Sequence, residues 1–291
     1  MNLFQYKNGN TFVTIKEDGT KIREYDSDPC PSFPESMDIK ITNYCSLSNY
    51  CKWCHEASDT NGKHADLDFV ITKLNELPSG VELAIGGGNP LDHPQLEEFL
   101  TKVRDLGIIA NITVNQLHVK KHFGQIVDLI ENDLIKGLGI SYNGNNIKET
   151  KALVKMTNNV VFHVIAGVNT LQDLQDISEI HNKVLVLGYK QFRKGEKYFS
   201  DAVQDNIDQW YRRLPLFFKK LIISFDNLAI TQLNLRRYFT DKSWETFYMG
   251  DDGTFTYYID AVNKTYGRNS TSSETFDLTT KSIKESFGEF T

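Results

Sequence analysis

The sequence predicts an α/β fold, a partial (β/α)6-type TIM barrel with a short N-terminal β-hairpin and a C-terminal α/β extension. Three observations predict it. Short apolar runs recur six times between residues 37 and 190, and helical patterns of period 3.6 separate them. The turns between the two kinds of segment are short, as in repeated βα units. The unusual residues fall just after the apolar runs, where α/β barrels collect their chemistry. A doubly wound open sheet is the alternative.

In chain order, residues 3–26 read as a small antiparallel unit, because "FVTIKEDGTKIREY" alternates around Asp18-Gly19, a hairpin signal. At this size the unit buries no independent core. It either recognises a peptide or caps the barrel bottom or an edge. Residues 1–30 form this cap, 37–190 the barrel core, and 191–291 an extension completing or covering the barrel. Strands are expected at Met37–Ile41, Val81–Ile85, Ile109–Val114, Gly137–Tyr142, Val160–Ala166 and Val184–Tyr189. They read as parallel strands covered on both faces. Helices are expected at Asp66–Leu77, Gln95–Leu106, Val119–Asp133, Ile147–Thr157 and Leu171–His181. A helix near Ser200–Lys219 leads to a buried strand at Leu221–Phe225, and "TFYMGDDGTFTYYIDAVNKTYG" reads as a hairpin across Asp252-Gly253. The Ser/Thr-rich tail after Gly267 is the one segment whose composition points to disorder.

The chain has 291 residues, 40% hydrophobic and 24% charged, with a net charge of −6. That balance excludes a general nucleic-acid surface. No apolar run is long enough to span a membrane, and the start lacks a signal-peptide layout. The cytoplasm is the expected location. Clustered thiols there signal metal or redox chemistry rather than disulfides.

Three of the four cysteines stand in "YCSLSNYCKWCHEAS", as Cys45, Cys51 and Cys54, spaced C-x5-C-x2-C. A structural zinc with His55 or Cys30 as fourth ligand is one reading, and would make the chain a non-catalytic, zinc-stabilised binding module. The other is a 4Fe–4S cluster with one iron left open to a ligand. The loop resembles that of the radical SAM (S-adenosylmethionine) enzymes, C-x3-C-x-Φ-C after the first strand of a partial barrel. Cys51-Lys52-Trp53-Cys54 keeps its second half, while the first spacing is five rather than three. Further along, "AIGGGNP" resembles the family's Gly-Gly-Glu-Pro segment, with Asn89 where Glu often stands. "ITVN" resembles its third-strand end, and "GISYNG" its fourth, with Asn143 in place of Asp.

The resemblance covers roughly residues 37–190. It implies S-adenosylmethionine and a 4Fe–4S cluster as cofactors, with Cys45, Cys51 and Cys54 as the metal ligands. Gly86, Gly87, Gly88 and Asn89 would meet the amino group of the cofactor's methionine, since glycines let main-chain atoms approach closely. Asn115, Ser141 and Asn143 would lie near its ribose or carboxylate, and Trp53 beside the cluster and adenine. The implied activity is one-electron cleavage of S-adenosylmethionine to a 5′-deoxyadenosyl radical that abstracts hydrogen from a peptide or small molecule. A flavodoxin or ferredoxin would supply the electron, and the cluster would be oxygen-sensitive.

Beyond the resemblance, only Cys30 remains of the thiols, too few for a second cluster. It reads as an ordinary buried thiol, with hydrogen donation to a substrate radical as the alternative. Lys190 and Arg193, in the basic segment after the sixth strand, either grip a substrate phosphate or carboxylate or belong to a solvated loop.

Overall fold

The computed structural model describes residues 2–290. It opens with an antiparallel sheet of three strands, β1 (Asn2–Asn8), β2 (Thr11–Lys16) and β3 (Lys21–Glu24). The expected hairpin about Asp18-Gly19 is β2–β3. The extra strand folds back through Asn8–Thr11, where Gly9 takes φ +59°.

The main sheet contains β4 (Ser36–Thr42), β5 (Glu82–Gly87), β6 (Ile109–Asn115), β7 (Gly137–Ser141), β8 (Val160–Ile165), β9 (Lys183–Leu187) and β10 (Ile222–Phe225), parallel and side by side in chain order. It extends past the six expected strands on both sides. β11 (Thr256–Asp260) runs parallel to β4, and β12 (Thr265–Gly267) and β13 (Phe276–Asp277) follow it antiparallel. The expected hairpin across Asp252-Gly253 is therefore corrected. The strands meet through the turn after Asp260, while Asp252 and Gly253 form a loop before β11. β10 is also not the buried strand expected. It is an edge, with Ile222 exposed, so the barrel is open.

Helices α1 (Leu67–Leu74), α2 (Leu96–Asp105), α3 (Gln116–Val119), α4 (Phe123–Glu131), α5 (Ile147–Met156) and α6 (Leu171–Ser178) alternate with the strands. The helix expected at Val119–Asp133 is α4, which starts four residues later; the short α3 before it ends at Val119, where the Asn146 amide takes the carbonyls of Gln116 (2.9 Å) and Leu117 (3.3 Å). Only the outer strand face is covered by helices. Ile39, Ile85, Ile112, Ile140 and Val164 are buried there. The alternate residues Asp38, Lys40, Thr113, Ser141 and His163 turn inward and line a cavity.

After β9 come α7 (Lys194–Tyr198), α8 (Asp201–Arg213), α9 (Asn227–Gln232), α10 (Asp241–Phe247) and α11 (Ile283–Phe287). The tail after Gly267 is structured: α11 buries Ile283 and Phe287, and Tyr257 packs edge-on to Phe287. The N-terminal sheet covers the strand N-termini. Its Glu17 and Asp18 carbonyls accept from Asn159 and Lys183. Among the described residues no helix is long and apolar enough to cross a membrane.

Candidate active site

A cavity of about 340 Å³ opens at the C-terminal ends of the strands. The loop after β4 forms one wall. It is pinned at both ends of the segment, by Asn43 N–H to the Lys63 carbonyl (2.9 Å) and Cys45 N–H to the Asp59 carbonyl (2.8 Å). The Cys51 N–H bonds the Leu47 carbonyl and the Cys54 N–H the Cys51 carbonyl, both at 3.1 Å. These turns bring Cys45, Cys51 and Cys54 to the same cavity with Trp53 between them. Burial, with the facing Cys54 and Cys45, pushes the Cys51 thiol up to about 12, and burial likewise raises Cys45. Holding these sulfurs as thiolates at neutral pH therefore needs a cationic partner such as a metal.

The opposite wall is made of strand ends. Gly86, Gly87 and Gly88 line it. Gly87 has φ +119°, and a Cβ on Gly88 would stand 2.0 Å from the Tyr44 carbonyl oxygen. Asn115 caps α3, its Oδ1 accepting from Leu117 N–H (3.0 Å) and from Asn143 Nδ2 (2.8 Å). Its Nδ2 lies 3.6 Å from Cys51 Sγ. Ser141 and Asn143 complete this polar edge, and Ile165 and Leu187 give the cavity apolar patches.

Sequence reasoning missed the charged floor. Lys40, nearly fully buried, pairs with Asp260 and with Glu56 Oε2 (3.2 Å). Tyr258 donates to Glu56 Oε1 (3.2 Å). Burial alone would raise Glu56, but the His55 contact and Lys40 outweigh it and hold the carboxyl at about 2. His55 itself is pulled down by burial, and Lys40 is the permanent charge against the Glu56 carboxylate, with Arg193 at 3.6 Å. Deeper in the barrel, burial lowers His163 to about 4, and the enclosing barrel wall raises Asp38, which is open to the cavity and which Lys190 partly opposes. The only signal of this floor in the sequence was the polar residues at inward positions of otherwise apolar strands.

The structure thus gathers Cys45, Cys51, Cys54, Trp53, Gly86, Gly87, Gly88, Asn115, Ser141, Asn143 and Lys190 around one cavity. Three other candidates stand outside this lining. Asn89 lies outside the lining, fully buried, with its amide on Asp92 (2.8 Å) and its N–H on the Tyr44 carbonyl (2.7 Å). Arg193 turns back to the cysteine loop and donates to the Glu56 carbonyl (3.1 Å). Cys30 is exposed rather than buried. Its N–H bonds Asn10 of the N-terminal sheet, away from the cavity, so its position does not suit hydrogen donation there.

The same placement removes Cys30 as a fourth zinc ligand, and His55 Nε2 faces Glu56 and Ser270. Among the described residues no three His, Cys, Asp or Glu side chains converge to hold a single ion. A 4Fe–4S cluster asks for one thiolate per iron rather than several on one ion, and three half-buried, neighbouring thiols on one cavity fit that need.

No family model matches the chain. A curated PqqA peptide cyclase of Streptomyces rochei is 28% identical over 94 residues, which is 31% of this chain and 25% of that protein. Streptococcus suis SuiB bound to its precursor peptide SuiA has a TM-score of 0.63 at 15% identity, over 88% of this chain and 65% of that one. SuiB bound to S-adenosylmethionine has a TM-score of 0.62 at 14% identity, with the same coverage. The match thus spans a quarter of the curated relative and just under two thirds of these two SuiB chains. The chain shares the α/β fold of SuiB, and in its cysteine loop and strand ends it resembles the radical SAM enzymes.

Proposed function

We propose that the chain is a radical SAM enzyme that modifies a peptide. The observation that carries this reading is the convergence of a three-cysteine loop, a Gly-Gly-Gly strand end and the Asn115–Asn143 edge on one cavity of a partial barrel. Cys45, Cys51 and Cys54 would hold a 4Fe–4S cluster. When bound, the cluster and S-adenosylmethionine supply reductive cleavage of the cofactor and hydrogen abstraction from the substrate.

The chain's own residues position and enclose. Gly86–Gly88 leave main-chain groups open to a small polar ligand. Asn115, Ser141 and Asn143 offer polar groups suited to a ribose or carboxylate, and Trp53 a flat apolar wall. Lys190, held by Ser270 Oγ at 2.8 Å, faces the cavity as a substrate contact. A peptide substrate is favoured because both the curated relative and the SuiB complex carry a peptide in their names. The electron would come from a flavodoxin or ferredoxin in the cytoplasm, and the cluster would be oxygen-sensitive.

Anaerobic reconstitution with iron and sulfide tests the reading, followed by reduction, addition of S-adenosylmethionine, electron paramagnetic resonance and assay of 5′-deoxyadenosine. The expected result is a cluster signal that shifts with the cofactor and forms deoxyadenosine, lost in Cys51→Ala. A colourless protein holding one zinc, or a cluster indifferent to the cofactor, overturns it.

A further inference from the structure

The three thiols differ in what faces them. The end of β6 and the following α3 aim two side-chain nitrogens at two of the sulfurs: Asn115 Nδ2 lies 3.6 Å from Cys51 Sγ, and His118 Nε2 lies 3.9 Å from Cys45 Sγ. The Asn115 amide is oriented by its partners. Asn143 Oδ1 accepts from Asn145 N–H (3.2 Å) and Asn145 Nδ2 (3.1 Å), so the end that Asn143 turns to Asn115 is its NH2. Asn115 Oδ1 therefore accepts from Asn143 and from Leu117 N–H, which leaves its own NH2 facing Cys51. His118 is buried at the cavity edge, and against an anionic sulfur its Nε2 carries the proton.

We infer that Asn115 and His118 donate N–H hydrogen bonds to the ligand sulfurs of Cys51 and Cys45, and that this pair sets the reduction potential of the cluster. The inference rests on the proposed reading of the cysteines as cluster ligands. An N–H donor withdraws electron density from a ligand sulfur and stabilises the more negative reduced cluster, which raises the potential. In this role both are positioning residues. They act through the sulfurs rather than on substrate.

The test is a dithionite titration of the reconstituted protein, followed by electron paramagnetic resonance. It compares wild type with Asn115→Ser, His118→Leu and His118→Gln. Serine keeps an oxygen to cap α3 and removes the amide donor. Glutamine keeps a donor at 118, and leucine does not. The midpoint falls in Asn115→Ser and in His118→Leu, each changing the reduction equilibrium by about tenfold, or about 59 mV for one electron. It falls further in the double variant and returns toward wild type in His118→Gln. Clusters that assemble in both single variants with the wild-type midpoint overturn the inference while leaving the proposed function intact. A wild-type chain that takes up no iron, scored before any titration, overturns both.

Discussion

A methyl group on Gly88 would meet the Tyr44 carbonyl oxygen at 2.0 Å, one residue before the first cysteine, whereas a Cβ on Gly86 finds open space. Gly88→Ala therefore has to push the cysteine loop away from β5. The expected cost is about 1–3 kcal/mol of overpacking with a marked loss of iron after reconstitution, read by urea unfolding and iron assay. Gly86→Ala should leave stability nearly unchanged and weaken cofactor binding instead. Glu56 makes a second prediction at this scale. Its carboxyl is held at about 2 in the fold, against an ordinary value of about 4.3. A depressed carboxyl stabilises fully above its unfolded value and loses that stabilisation as pH falls through the folded one. Glu56→Gln should cost about 2 kcal/mol at pH 7, within the range for hydrogen bonds to charged groups. The gap from wild type should narrow below pH 4 and close near pH 2, as urea titrations at each pH would read. A gap independent of pH would mean that Glu56 acts by packing rather than charge.

Among the elements, α7 with the residues before it acts as a strap on the cysteine loop. Lys194 Nζ donates to the carbonyls of Ser48 (3.3 Å) and Ser58 (3.2 Å), Arg193 to that of Glu56, and the Tyr198 ring lies 5.6 Å from Trp53. Lys194→Met keeps the apolar stem and removes the ammonium. Amide exchange over residues 48–58 should quicken by about tenfold, matching about 1.4 kcal/mol for a charged hydrogen bond, while β5 to β8 stay unchanged. Equal exchange in the loop would remove the strap. The basic character of this segment was legible in the sequence, but its direction was not. Arg193 and Lys194 face backbone carbonyls more than a hundred residues earlier, and no local pattern encodes that. The six central strands were legible because each is a short apolar run closed by a turn. β11 was misassigned because its parallel partner, β4, lies at the far end of the chain, while Asp252-Gly253 offered a stronger local turn signal. The clustering of the three cysteines was visible in their spacing, while their reading as cluster ligands rests on the resemblance. The Lys40–Glu56–Asp260 floor could not, since it joins three distant segments.

For the whole molecule, the question is what fixes the N-terminal sheet to the barrel. Arg23 of β3 donates to Glu35 Oε2 at 2.7 Å and stacks 4.0 Å over the Phe255 ring, while the Phe255 carbonyl accepts from Glu35 N–H. One side chain thus joins the sheet to the start of β4 and to the approach to β11, at the end of the barrel away from the cavity. Glu35 is fully buried, so its charge depends on Arg23, with Lys21 more distant at 3.9 Å. Removing one partner of a buried pair costs about 3–5 kcal/mol, because the remaining charge is left uncompensated. At about 2 °C per kcal/mol for a chain of this size, Arg23→Met should lower the melting temperature by about 6–10 °C. Replacing both partners by apolar residues removes the stranded charge, so Arg23→Met with Glu35→Met should recover most of the loss. Thermal unfolding followed by circular dichroism reads both variants. Iron uptake measured well below either transition should match wild type, since neither residue lines the cavity. A double variant as unstable as Arg23→Met would show that the stack on Phe255, rather than the ion pair, holds the two sheets together.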